Sequence, residues 1–224
     1  MDEKQKAFNT FEVPDRIRVK KVLDFIYEYF GTVSGISILE CGIAKGGIAD
    51  LLSKDGAECW GIDINPRNLP GVNIIQSDLN MEFPEFDRAF DVIFAGEVIE
   101  HLFDETKFIK WCYKILKLDG LIVITVPNLA FSVNRLQLLF GKMPRFGYAP
   151  YHYHIYTKEI LQGIIKKENF KILKCSSTHI LFSTRRNKFG RIFELLGDVF
   201  PSLGANLIVF AKKVDLSAND SCYV

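Results

Sequence analysis

Short apolar runs alternate with amphipathic stretches through the first half of this chain. Ile36–Cys41, Cys59–Ile64, Val72–Gln76, Phe90–Ala95 and Leu121–Val126 are the runs, closed at several ends by Gly42, Asn65-Pro66 and Pro127. Such segments predict buried strands. Between and before them lie helical patterns. Residues 14–30 place Ile17, Val22, Phe25, Ile26 and Tyr29 close to helical spacing, and Gly31 stops the helix. Residues 47–54 and 104–116 predict two more helices. Strands alternating with helices imply crossover connections and a parallel sheet covered on both faces.

The rhythm breaks after Pro127. Residues 128–156 are rich in Asn, Gly, Pro and aromatics, with a short helix near 131–140. They predict a cap, inserted after the fifth strand, over the carboxyl edge of the sheet. Thr157 is placed to N-cap a helix over 157–168. Phe170–Cys175 and Leu207–Ala211 predict two last strands, with an amphipathic helix around Phe189–Phe200 between them. Their connection favours an antiparallel pair at the sheet edge.

Composition narrows the class. The 224 residues are 48% hydrophobic and 25% charged, ordinary for a globular chain, which excludes disorder, collagen and coiled coil. The length suits one domain spanning 1–224, with 1–30 as its N-terminal helix and 128–156 as its cap. No apolar run approaches the ~18 residues of a membrane span, and MDEKQKAFNTFEVPDR holds no apolar leader. The five cysteines form no CxxC pair, and buried thiols in a reducing cytoplasm explain them. Residues 1–127 hold 14 Lys and Arg against 21 Asp and Glu, a balance of −7; residues 128–224 hold 14 against 6, a balance of +8. The basic half suits phosphate, an acidic substrate or an anionic lipid surface.

The first strand runs into Glu40-Cys41-Gly42-Ile43-Ala44-Lys45-Gly46-Gly47, and a helix follows at once. A Gly-rich turn there lets backbone and free helix N–H groups approach a ligand. The spacing is not G-x-G-x-x-G, and Glu40 opens the loop where a pyrophosphate would be repelled, which disfavours an NAD-dependent dehydrogenase. Asp63 closes the second strand, placed to take both ribose hydroxyls of an adenosine ligand. Ser77-Asp78-Leu79 follows the third strand, where a short acid suits an adenine amino group.

Taken in this order, ILECGIAKGG (38–47), WGIDINP (60–66), QSDL (76–79), FDVIFAGEVIEHL (90–102) and ILKLDGLIVITVPN (115–128) resemble the class I S-adenosylmethionine-dependent methyltransferases. The resemblance covers about residues 14–213. It implies an α/β, Rossmann-like, doubly wound seven-stranded sheet of order 3-2-1-4-5-7-6, with the last strand antiparallel. It also implies a cofactor site. Gly42, Ala44 and Gly46 would lie against methionine and ribose, and Glu40 would orient the methionine end. Asp63 would bind the ribose and Asp78 with Leu79 the adenine, with Ile64 also in the cofactor site. Ala44 departs from the family's usual Gly by one methyl. The competing reading of Glu40 or Asp63 alone is a strand-end cap.

Methyl transfer needs an aligned nucleophile and, for a hydroxyl, a proton acceptor. Glu97-Val98-Ile99-Glu100-His101 ends the fourth strand. A helix starting near Glu97 would put Glu97, Glu100 and His101 on one face. His152, ahead of Thr157, would join them from the cap. The E-x-x-E-H set with this later His resembles two branches of the family, the ubiquinone-biosynthesis O-methyltransferases and the small-RNA 3′-terminal 2′-O-methyltransferases. Two uses stay open. Glu97, His101 and His152 serve as base or proton relay, or Glu97, Glu100, His101 and His152 hold a divalent Mg or Mn ion.

The cap segment Pro127–Gly147 resembles uncharacterised bacterial and archaeal methyltransferases, many linked to surface glycan or lipid-linked sugar pathways. Its Phe131, Phe140, Phe146, Tyr148, Tyr151 and Tyr153, interleaved with Arg135, Lys142 and Arg145, suit sugars or phosphate. Arg185, Arg186, Lys188 and Arg191 suit peripheral contact with acidic lipid. The combined expectation is methyl transfer to oxygen, with nitrogen second, of a small-molecule or glycan- or lipid-linked acceptor. An RNA ribose methyltransferase is the rival enzyme, disfavoured by scattered basic residues; a non-catalytic cofactor-binding subunit is the rival from another class.

Overall fold

Strand parity sorts the core into two layers. On β4 (Phe90–Gly96), Ile93 and Ala95 pack on one face of the sheet and Val92 and Phe94 on the other. The same alternation runs through β5 (Leu116–Pro127) and β7 (Asn206–Lys213). Both faces are therefore apolar, and both are covered by helices. The computed structural model describes residues 13–44, 47–144, 151–181 and 188–215.

One face carries α1 (Val13–Phe30) and α2 (Ile48–Ser53), which bury Val19, Val22, Ile26, Leu51 and Leu52. The opposite face carries α3 (Glu105–Ile115) and α5 (Lys158–Lys167), which bury Phe108, Cys112, Leu161 and Ile165. Each fully buried side chain of this size contributes about 1.5–3 kcal/mol. Local chemistry starts both helices of this layer. The Asp104 carboxylate accepts from the Lys107 amide at 2.8 Å, and the Thr157 hydroxyl accepts from the Ile160 amide, as expected of an N-cap.

With β1 (Ser37–Cys41), β2 (Glu58–Asp63), β3 (Val72–Gln76) and β6 (Phe170–Ser177), the strands form one sheet of order β3-β2-β1-β4-β5-β7-β6. Strands β1 to β5 pair in parallel, and β7 is antiparallel to both neighbours. This is the expected order and the expected antiparallel strand. The fifth strand starts earlier than its apolar run, at Leu116, because that residue pairs with Phe90 ahead of an irregularity at Asp119, whose φ is +58°.

The base of the cap is tied down by Asn128. Its side chain donates to the carbonyls of Ser202 and Gly204, its Oδ1 accepts from the Ala130 amide, and its backbone bridges Tyr156. The helix of the cap is α4 (Ser132–Leu139). Helix α6 (Lys188–Val199) precedes a 3₁₀ turn, Pro201–Leu203, that leads into β7. No helix among the described residues is long and apolar enough to cross a membrane. Cys41, Cys59 and Cys112 are buried free thiols and Cys175 is half-buried; Cys222 lies outside the described residues.

Candidate functional site

The carboxyl ends of the parallel strands converge on one edge. Glu40, the fourth residue of β1, is buried, and its Oε2 accepts from the Ala49 amide at 2.8 Å. It thereby caps the start of α2, so the strand-end cap is present. Gly47 makes room for it: a Cβ there would lie 1.8 Å from Glu40 Oε1. Burial pushes the Glu40 carboxyl up to about 7. Gly42 has φ +76°, and a Cβ there would meet Val98 at 2.5 Å, so only Gly fits the turn.

Ala44 adopts φ +45°, in the left-handed region. Its amide donates to Asp63 Oδ2 at 2.8 Å, while the Asn65 amide donates to Oδ1 at 2.9 Å. Asp63 thus ends β2 with both oxygens oriented by backbone. Ile64, next along, is 55% exposed, a large apolar side chain facing open space beside that carboxylate. Asp78 Oδ1 accepts from the Asn80 amide, and Leu79 is half-buried. Gly46 lies outside the described residues, as do residues 145–150 of the cap and Arg185 and Arg186.

The end of β4 departs from the helical face expected of Glu97, Glu100 and His101. Glu97 has φ +57°, and a 3₁₀ turn forms only over Ile99–His101. The left-handed conformation hands Glu97 to a different set of partners. Its carboxylate accepts from Thr125 Oγ1 and Asn206 Nδ2, both at 2.9 Å, and pairs with Arg18 at 3.1 Å. Arg18 comes from α1, and its cation also lowers the proton affinity of Glu40 and Glu100. It is thus the shared counter-charge of three carboxylates. Burial nevertheless raises the Glu97 carboxyl above its usual range.

Glu100, His101 and His152 do come together. One ligand atom from each lies within 4.8 Å of the others. Both Glu100 oxygens are buried without a hydrogen-bond partner. Burial, followed by the charge of Glu97, pushes the Glu100 carboxyl up to about 9, which favours its neutral form. The His101 and His152 rings meet edge-on with centroids 4.7 Å apart. Burial, then the charge of His101, lowers the proton affinity of His152.

The His101 ring is oriented by the cap. Its Nδ1 lies 2.8 Å from the Tyr151 carbonyl. A carbonyl only accepts, so Nδ1 carries the proton and, in the neutral ring, Nε2 keeps its lone pair. The Tyr153 amide donates to the Glu100 carbonyl at 2.8 Å, which stitches the cap to the turn. From the other side, Asn80 Nδ2 donates to the His101 carbonyl and Asn80 Oδ1 accepts from the Phe103 amide. Arg18, Asn80, Thr125 and Asn206 were not singled out from the sequence. None carries a local motif, and each acts through a partner distant in the chain.

A family model described as a methyltransferase domain matches residues 15–174. The chain belongs to this family, and with it to the class I S-adenosylmethionine-dependent methyltransferases. A Mycolicibacterium smegmatis protein named as a probable S-adenosylmethionine-dependent methyltransferase is 31% identical over 110 residues, 46% of this chain and 42% of that protein. This methyltransferase chain therefore spans well under half of that relative. The ubiquinone biosynthesis O-methyltransferase of Rickettsia typhi is 24% identical over 222 residues, covering 91% of this chain and 87% of that protein. A SAM-dependent methyltransferase from Archaeoglobus fulgidus has the same fold, with a TM-score of 0.60 at 20% identity, covering 89% of this chain and 94% of that one.

Proposed function

We propose that this enzyme transfers the methyl group of S-adenosylmethionine to an oxygen of a small or glycan-like acceptor held between the β4 turn and the cap. One observation carries the oxygen assignment: His101 is held with Nδ1 protonated, which leaves Nε2 as a proton acceptor at the end of the central strand. A hydroxyl must lose its proton as it attacks, and a neutral imidazole suits that task. His152, favoured in its neutral form, is the second member of the relay. Glu100, favoured in its neutral form by burial, lies beside them. Glu97 positions rather than reacts, since Arg18, Thr125 and Asn206 hold it.

For the cofactor, Asp63 takes the ribose hydroxyls, Ile64 covers the adenine face, and Asp78 with Leu79 receives the adenine edge. Gly42 and Ala44 line the methionine and ribose. Glu40 offers a charge to the methionine ammonium, and Arg18 offers one to its carboxylate. The reaction itself is an in-line displacement at carbon, for which alignment is the protein's main contribution. The length match with the Rickettsia O-methyltransferase supports acceptor oxygen.

A second reading rests on the unpartnered Glu100 oxygens beside two imidazoles. A carboxylate and two ring nitrogens fit a divalent cation, Mn²⁺ better than Mg²⁺, because imidazole is softer than magnesium prefers. Glu100, His101 and His152 would hold it, and it would grip the acceptor oxygens. Glu97 would join only by giving up Arg18, Thr125 or Asn206. The test of the main reading is mass spectrometry of ligand released from denatured protein, followed by acceptor screening with a cofactor-turnover assay. Release of S-adenosylmethionine or its demethylated product is expected; release of NAD would overturn it.

A further inference from the structure

Two helices at the carboxyl rim of the sheet present apolar faces to open space. Leu136, Leu139 and Phe140 recur at i, i+3 and i+4 through α4 and its C-cap. Ile192, Leu195 and Val199 recur at i, i+3 and i+7 along α6. All six are between 50% and 77% exposed. Single exposed apolar residues need no explanation, but two aligned stripes do. The stripes are neighbours: Arg135 of α4 donates to the carbonyl of Ser202, in the 3₁₀ turn that follows α6, at 3.2 Å. Both helices sit at the site edge, α4 just after β5 and α6 against the end of β6, where the Ser177 hydroxyl donates to the Gly197 carbonyl.

Charge identifies the occupant. Residues 128–158 contain Arg135, Lys142, Arg145 and Lys158 and no Asp or Glu. Residues 169–193 contain Lys171, Lys174, Arg185, Arg186, Lys188 and Arg191 and again no Asp or Glu. Helix α6 itself carries Glu194, next to Leu195, and Asp198, which is paired with Lys21 of α1 at 2.8 Å. Residues 128–200 as a whole hold 12 Lys and Arg against 4 Asp and Glu, so both stripes lie in a strongly net-basic part of the chain. We propose that the face formed by α4 and α6 docks this protein on an anionic lipid bilayer, with the six apolar side chains entering the headgroup–acyl boundary. A nucleic acid would match the charge but leave the apolar stripes in water. A bilayer surface satisfies both, because apolar insertion and attraction of Lys and Arg to acidic headgroups add. The proposal stands apart from the methyl-transfer reading, since none of the six residues belongs to the cofactor or base site.

The test is flotation with phosphatidylcholine–phosphatidylglycerol vesicles against pure phosphatidylcholine, in low and high salt. The full chain is expected to float with the anionic vesicles only, and to be released by salt. Leu139→Gln with Phe140→Gln, and Leu195→Gln with Val199→Gln, should each weaken partitioning at least about tenfold. Affinity for the demethylated cofactor, measured in parallel by calorimetry, should match wild type in both variants and reports that they are folded. Absence of flotation, equal flotation on neutral vesicles, or variants that float like wild type would overturn the proposal. So would a dimer in sedimentation that both variants convert to monomer, since a second copy would then cover the face. Wild-type protein that floats but binds no demethylated cofactor would overturn the functional reading and leave this surface standing.

Discussion

The Ala44 amide donates a 2.8 Å hydrogen bond to Asp63 Oδ2, joining the glycine-rich loop to the end of β2. With the Asn65 amide on Oδ1, the carboxylate is oriented before any ligand arrives. Pre-orientation lowers the entropy lost on binding. Asp63→Ala is therefore expected to weaken cofactor binding by about 1–3 kcal/mol, through loss of charge-assisted hydrogen bonds. Calorimetry with the demethylated cofactor measures it, and unchanged affinity would remove Asp63 from the site.

The same loop holds a strained alanine. A left-handed L-residue costs roughly 1–2 kcal/mol, whereas Gly adopts the conformation freely. Gly also loses about 0.5–1 kcal/mol more chain entropy on folding. Ala44→Gly, at φ +45°, should thus be neutral or stabilising by up to about 1 kcal/mol in denaturant unfolding. Destabilisation by more than that would show that the methyl is packed, not merely tolerated.

Glu40 links stability to pH. Its folded carboxyl sits at about 7 against an ordinary 4.5, because it is buried. Between these values the folded state binds more protons than the unfolded one, so stability falls as pH rises from 4.5 to about 7 and levels off above. Glu40→Gln removes this decline. Relative to wild type, the variant should gain on the order of 3 kcal/mol between pH 4.5 and pH 8 in urea titrations. Parallel pH profiles for the two proteins would place the Glu40 proton elsewhere.

His101 and His152 must be neutral to accept a proton. Activity should fall as pH drops through the titration of His152, which its burial pushes to the acid side. Acid also displaces a metal from imidazole, so pH alone does not separate base from metal chemistry. Activity that survives EDTA, with no metal in elemental analysis, is the expected result. Loss to EDTA with recovery on Mn²⁺ or Mg²⁺ would favour the Glu100, His101 and His152 metal site. Full activity in both His101→Ala and His152→Ala would eliminate both roles.

The cap is joined to the β4 turn by the Tyr151 carbonyl on His101 and the Tyr153 amide on Glu100. Demethylated cofactor should order this contact, and hydrogen exchange over 151–156 should slow on binding. Equal protection with and without ligand would make the cap a fixed wall rather than a lid.

The strands and helices were legible in the apolar pattern because burial on both faces of a parallel sheet demands continuous hydrophobic runs. Val72–Gln76 appears in the structure with the expected bounds, and Thr157 caps the helix it precedes. Glu40, Asp63 and Asp78 were legible as well, since strand ends mark themselves by a switch from apolar to acidic residues. The start of β5 was not: Leu116 joins the strand through pairing with Phe90, which apolar content does not announce.

Sequence by itself determined the sheet, its helical layers and the acidic residues Glu40, Asp63 and Asp78 at one edge of it. Tertiary structure alone decided how the EVIEH segment is used. Spacing put Glu97, Glu100 and His101 on one helical face, yet Glu97 takes a left-handed conformation and faces Arg18, Thr125 and Asn206, while His152 joins Glu100 and His101. The physical reason is range. A local pattern reports backbone preference within a few residues, but the partner that repays a strained φ or orients a ring is a charge or carbonyl far along the chain. Arg18 and Tyr151 reach Glu97 and His101 only after the sheet has brought α1 and the cap to the same edge.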